Sequence, residues 1–105
     1  MSIVKVDYGE VGGSDIKTLK TSSKTCPDNT TTQITVDGLE KIYQVALQAN
    51  NGGVYATAYL NTDTDQYVFI NGSYALITAI SGNIVSVKLQ GWGSAMNASL
   101  ICTGV

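Results

Sequence analysis

The run Asn61-Thr62-Asp63-Thr64-Asp65 sets oxygen-bearing side chains at alternate positions, the way a calcium loop opens. Such a loop needs Gly at its sixth position for the sharp turn and Glu at its twelfth as a bidentate ligand. Those positions hold Gln66 and Gly72. The run therefore reads as a polar hairpin loop whose Asn and Asp side chains support the turn, and no metal site is expected. Cys26 and Cys102 lie far apart, without the CxxC spacing or histidine partner of a metal site. They are either a disulfide joining the two ends of the domain or two free thiols, one buried in the last strand. A reducing cytoplasm favours the thiols. The remaining acidic residues, Asp7, Glu10, Asp15, Asp28, Asp37 and Glu40, are scattered in or beside turns. No carboxylate pair stands out for acid–base work, so no catalytic residue is nominated.

The aromatic residues offer binding rather than chemistry. Gly91-Trp92-Gly93 presents the only Trp between two flexible residues. Trp92 can pack under a loop, join a subunit interface or stack on a sugar ring. Its two glycines make no dinucleotide fingerprint, because the third glycine and the βαβ unit are missing. Six tyrosines stand against one Phe. Tyr55 and Tyr59 share one strand face and Tyr67 is expected nearby. Tyrosine supplies rigid contact area while keeping a hydroxyl for polar partners. The candidate binding residues are therefore Trp92, Tyr55, Tyr59 and Tyr67, with half-buried strand filler as the plainer reading of the tyrosines. Lys17, Lys20 and Lys24 read as guards on a solvated edge strand. The N-x-[ST] sites at Asn29, Asn71 and Asn97 are assigned no role.

Composition excludes several classes of function. The chain of 105 residues has no His, and its six basic residues are all Lys. That removes His-based nucleophilic catalysis, His-ligated zinc and the arginine finger. A net charge of −2 and a pI of 4.7 argue against nucleic acid, whose binders carry a basic footprint. Ser, Thr, Asn and Gln make up 33 residues, so the polar surface is mostly neutral. No cofactor, nucleic acid or membrane insertion is expected, and the beginning of the chain shows no charged leader followed by an apolar run.

The elements that must position these residues read as strands. Val85, Val87 and Leu89 alternate with Ser86, Lys88 and Gln90, the period of a half-buried strand. Ile34 and Val36, then Val54, Ala56, Ala58 and Leu60, and finally Ala98, Leu100 and Cys102, alternate in the same way. Gln66–Ile70 is a β-rich run. Asn50-Asn51-Gly52-Gly53, Asn71-Gly72 and Gly82-Asn83 fall between such runs as hairpin-type turns. Residues 39–48 fit a helix with Asp37 and Glu40 as its cap, but also a strand after an Asp37-Gly38 hairpin turn. Strand neighbours on both sides favour the strand, with Tyr43, Val45 and Leu47 inward. The expected fold is all-β, an antiparallel β-sandwich or jelly-roll-like domain of seven or eight short strands over residues 14–105. Residues 1–13 read as an arm, with an apolar run Ile3-Val4-Lys5-Val6 and a Gly-rich linker.

The opening Met1-Ser2-Ile3-Val4-Lys5-Val6-Asp7-Tyr8-Gly9-Glu10-Val11-Gly12-Gly13 resembles the start of small proteins encoded in the structural-gene regions of phages and prophages of gut Firmicutes. Gly38-Leu39-Glu40-Lys41-Ile42-Tyr43-Gln44-Val45, Ala58-Tyr59-Leu60-Asn61-Thr62-Asp63-Thr64-Asp65 and Ile80-Ser81-Gly82-Asn83-Ile84-Val85 are similar to the body of such proteins. The resemblance implies a non-enzymatic virion component: a fiber-like, tail or head-decoration protein made in the bacterial cytoplasm. It carries over no site residues. It implies a symmetric homo-oligomer, a trimer by analogy with fibers, with other virion proteins and a host-surface glycan as partners. The alternative is a carbohydrate-binding module using Trp92 and the surface tyrosines.

Overall fold

The alternating runs pair into two facing antiparallel sheets. The computed structural model describes residues 15–50 and 52–105, and the arm expected at residues 1–13 lies outside them. The strands are β1 (Lys17–Lys20), β2 (Lys24–Cys26), β3 (Thr30–Thr35), β4 (Ile42–Ala49), β5 (Val54–Asn61), β6 (Gln66–Asn71), β7 (Ala75–Ser81), β8 (Ile84–Leu89) and β9 (Met96–Gly104). The larger sheet runs β1-β9-β4-β5-β6, with β2 also on β9; the smaller runs β3-β8-β7. No helix forms among the described residues. The domain is an all-β sandwich.

Nine strands replace the seven or eight expected because the lysine-bearing edge is split. β1 ends opposite Ile101 and β2 begins opposite Ala98, both on β9. Thr21 bridges the gap: its N–H donates to the Leu100 carbonyl, and its Oγ1 accepts from the Leu100 N–H, each at 2.9 Å.

The core forms along the alternating runs except at Val54, which is 52% exposed because the β4–β5 register shift separates it from Ala56 and Ala58. Val85, Val87 and Leu89 on β8 are fully buried, because β8 is the middle strand of the smaller sheet. They share one cluster with Val45 and Leu47 of β4, Leu100 and Cys102 of β9, and Ala56 and Ala58 of β5. Residues 42–49 are strand, so sheet pairing won over the helical stripe. Val45 and Leu47 point inward, as the period-two reading required. The strand starts at Ile42 rather than at residue 39. The N–H groups of Glu40 and Lys41 both donate to the Val105 carbonyl, and a bulge at Tyr43 buries Ile42 and Tyr43 in succession.

Two turn assignments are corrected. Asp37-Gly38 is not a hairpin turn, because β3 pairs with β8 and β4 pairs with β5 and β9. The segment carries the chain from one sheet to the other. Leu39 is buried between them, and Gly38 adopts φ +97°. Asn71-Gly72 likewise leads from β6 in the larger sheet to β7 in the smaller. There the Asn71 side chain takes the place of a strand, its Oδ1 accepting from the Ile77 N–H at 2.9 Å and its Nδ2 donating to the Ile77 carbonyl at 3.2 Å. Gly82-Asn83 does close a two-residue hairpin, with Gly82 at φ +60°.

Candidate functional site

Four loops and strand ends meet around Trp92. The flanking Gly91 and Gly93 take φ +80° and +79°, a backbone that L side chains resist, and this projects the indole back over the sandwich. The ring lies half-buried against the core. It meets Tyr55 edge-on, with centroids 5.5 Å apart at 71°, and Tyr74 at 5.7 Å and 58°. Such geometry is favoured by the ring quadrupoles. Tyr55 sits where the β4–β5 register shifts between Leu47 and Gln48, so it has no direct partner on β4.

Polar groups hold this cluster in place. The indole Nε1 donates to the Tyr74 carbonyl at 2.9 Å, and the same carbonyl accepts from the Gln90 N–H at 2.9 Å. The Asp28 carboxylate accepts from the backbone N–H groups of Trp92 at 3.2 Å and Gly93 at 3.0 Å. Asp28 thereby ties the β2–β3 turn to the β8–β9 loop, and Trp92 ties that loop to the β6–β7 loop. An added Cβ at Gly91 would lie 3.1 Å from the Tyr74 ring, so glycine is what lets the ring close over the loop.

The four sequence candidates do not form one surface. Trp92 and Tyr55 come together. Tyr59 lies elsewhere, 42% exposed on the outer face of the larger sheet beside Gln44, Thr57 and Thr103. Tyr67 is opposite Leu60 on β5 and so lies on the other face from Tyr59, which corrects the expectation that the two would be neighbours. Its hydroxyl donates to the Ile42 carbonyl at 2.7 Å and closes one end of the sandwich. Burial pushes this phenol upward, helped by the charges of Asp65 and Tyr43. Two members of the aromatic site escaped the sequence reading. Tyr74 is 53% exposed in the loop after β6. Asp28 follows Pro27 in a turn; a Pro-Asp-Asn run is a turn signal whose carboxylate can reach nearby amides.

The chemical candidates stay apart. Asp63 and Asp65 lie in the β5–β6 turn, where the Asn61 Oδ1 accepts from the Asp63 N–H at 3.0 Å, as a turn-supporting side chain does. Among the described residues, no three Cys, Asp or Glu side chains converge on a metal-sized site. Cys26 and Cys102 are buried free thiols. Burial pushes Cys102 up to about 12. Cys26 is also raised by burial, against the opposing effects of a Thr32 hydrogen bond and Lys24. Both stay protonated at neutral pH and so are poor nucleophiles. No family model, curated protein or solved structure matches this chain.

Proposed function

We propose that this chain is a non-enzymatic structural protein of a phage or prophage particle, displayed on its surface as a self-associating β domain. The observation that carries this reading is the use made of the functional groups. The Asp28 carboxylate, the Trp92 indole N–H and the Tyr67 hydroxyl each brace one chain segment against another. A domain whose polar side chains brace its own loops suits a particle surface, where a fixed shape matters more than turnover. The resemblance of its opening, of residues 38–45 and 58–65 and of the hairpin at residues 80–85 to phage structural-region proteins supports the same reading. The protein assembles as a homo-oligomer, a trimer by analogy with fibers, with residues 1–13 engaging a neighbouring subunit or the particle. Mass spectrometry of particles purified from a lysogen carrying this gene tests it. The chain is expected to co-purify with capsid and tail proteins. Recovery only in the particle-free fraction would overturn the proposal.

A second reading, a carbohydrate-binding module, is favoured by Tyr74, which stands half-exposed against Trp92. Its platform is Tyr74 and Trp92 rather than Tyr59 or Tyr67. Glycan binding lost in Tyr74→Ala, with an unchanged melting temperature, would select it.

A further inference from the structure

The larger sheet ends in two unlike edges. One edge is β1 and β2, which carry Lys17, Lys20 and Lys24. Two of these lysines cap backbone groups: Lys17 Nζ donates to the Gly38 carbonyl and Lys24 Nζ to the Gln33 carbonyl, each at 2.8 Å. The other edge is β6, Gln66-Tyr67-Val68-Phe69-Ile70-Asn71, which has no charged residue, no proline and no bulge against β5. Phe69 is 38% and Ile70 59% exposed on it.

Among the described residues, none pairs with the backbone of β6 on its outer side. Gly72 N donates to the Tyr55 carbonyl, which marks that pair as hydrogen-bonded. In an antiparallel ladder such pairs alternate, so Ile70 and Val68 bond to Thr57 and Tyr59. The N–H and C=O of Tyr67 and Phe69 then point away from the sheet. An uncharged, apolar edge of this kind is a template for another strand.

The chain contains a segment of the right length and direction. Fourteen residues precede Asp15, among them Ile3, Val4, Val6 and Tyr8. β1 and β6 start at the same end of the sheet: Lys17 is opposite Gly104, Gly104 is opposite Ile42, and the Tyr67 hydroxyl reaches the Ile42 carbonyl. A strand added outside β6 lies five interstrand steps from β1, about 24 Å. Residues 9–16 can span up to about 27 Å, enough to cross that distance. A segment arriving at β1 from beside β6 must run toward the end where β6 starts. It therefore meets β6 antiparallel, the pairing that a short strand makes most readily. Exchange between copies makes the same pairing in trans and links the protomers.

We infer that β6 is the acceptor edge for residues 3–8 of a second copy of this chain, which add to it as an antiparallel strand. This rests on the self-association reading above and names its contact. The test uses the full-length chain, the arm variant Val4→Pro/Val6→Pro and the edge variant Phe69→Lys. Each is measured by light scattering across micromolar concentrations and by residue-resolved amide hydrogen exchange. The parent is expected to be oligomeric, with slow exchange at Tyr67 and Phe69. Both variants are expected to be monomeric, with amide exchange at positions 67 and 69 at least about tenfold faster. The Val85 and Val87 amides, in the middle strand of the other sheet, should be unchanged and so report an intact fold. Oligomers that survive both variants would leave self-association standing and overturn β6 as its contact. A monomeric parent whose slow exchange is lost only in the variants would return the arm to its own sheet and overturn the exchange. A monomeric parent with fast exchange at both positions would overturn the inference and the self-association reading together.

Discussion

β8 and β6 are both six-residue strands rich in β-branched and apolar residues, yet they have opposite fates. β8, Ile84–Leu89, lies between β3 and β7 and buries Val85, Val87 and Leu89 completely. β6, Gln66–Asn71, closes the larger sheet and buries none of its side chains fully. Their sequences differ in one informative way. From Val85 on, β8 alternates between apolar and polar residues and only Ile84 is apolar on its outer face, whereas β6 places Tyr67, Val68, Phe69 and Ile70 in succession, so both of its faces are apolar. Strict alternation suits one buried face and one wet face. Apolar residues on both faces suit a strand covered on both sides or paired at its free edge. β6 is neither among the described residues, so its sequence asks for more contact than its place in the fold supplies.

The largest test of this contrast is a charge placed in β8. Val87→Asp puts an unpaired carboxylate where the side chain has no exposure, at a cost of several kcal/mol. Such a loss is a large share of the stability of a small domain. A thermal melt should show the variant unfolded or far less stable, and a parent-like melt would break the assignment of β8 as the centre of the core. Next in size is the brace beyond the end of β8. Asp28→Ala removes the acceptor of the Trp92 and Gly93 amides and should cost about 1–2 kcal/mol. Near-ultraviolet circular dichroism should lose part of the Trp92 signal, while far-ultraviolet spectra keep their β character.

Titration sharpens the same contrast between centre and edge. Cys102 lies on β9, an inner strand of the larger sheet, and its pKa rises in the fold from about 9 to about 12. The folded state then holds its proton more tightly than the unfolded state. The associated stability is complete below about pH 9 and is lost as pH rises toward about 12. Melting temperature should fall over that window, and less steeply in Cys102→Ala. An unchanged slope in the variant would show that Cys102 does not govern the fall. Smallest of all is Phe69→Lys at the edge, expected to change monomer stability by no more than about 1 kcal/mol. A loss as large as that of Val87→Asp would erase the distinction between the two strands.

The comparison also separates what was legible in the sequence from what was not. The alternations at Val85–Leu89, Ala56–Leu60 and Ala98–Cys102 pointed to the core directly, because a strand's side chains have only two directions to choose from. The Gly82-Asn83 hairpin was readable for the same local reason. Asp37-Gly38 and Asn71-Gly72 were misread as hairpin turns. Turn chemistry says that the chain bends but not which sheet the next strand joins. Trp92 was visible as a singular residue, but its partners were not. Tyr74 and Asp28 lie 18 and 64 positions away in sequence and meet it only after three loops converge at one end of the sandwich.

By itself, then, the sequence determined the local facts: strand period, turn positions, the absence of His and Arg, and a neutral polar surface. These follow from side-chain chemistry acting over a few residues. Tertiary structure alone decided which strands are central and which are edges, which face each tyrosine occupies, and that Trp92 is clasped between Tyr55 and Tyr74. Those outcomes depend on pairing between residues far apart in the chain. The hydrogen bonds of a β-ladder are the same whatever the side chains, so the choice of partner falls to the burial of the sandwich as a whole.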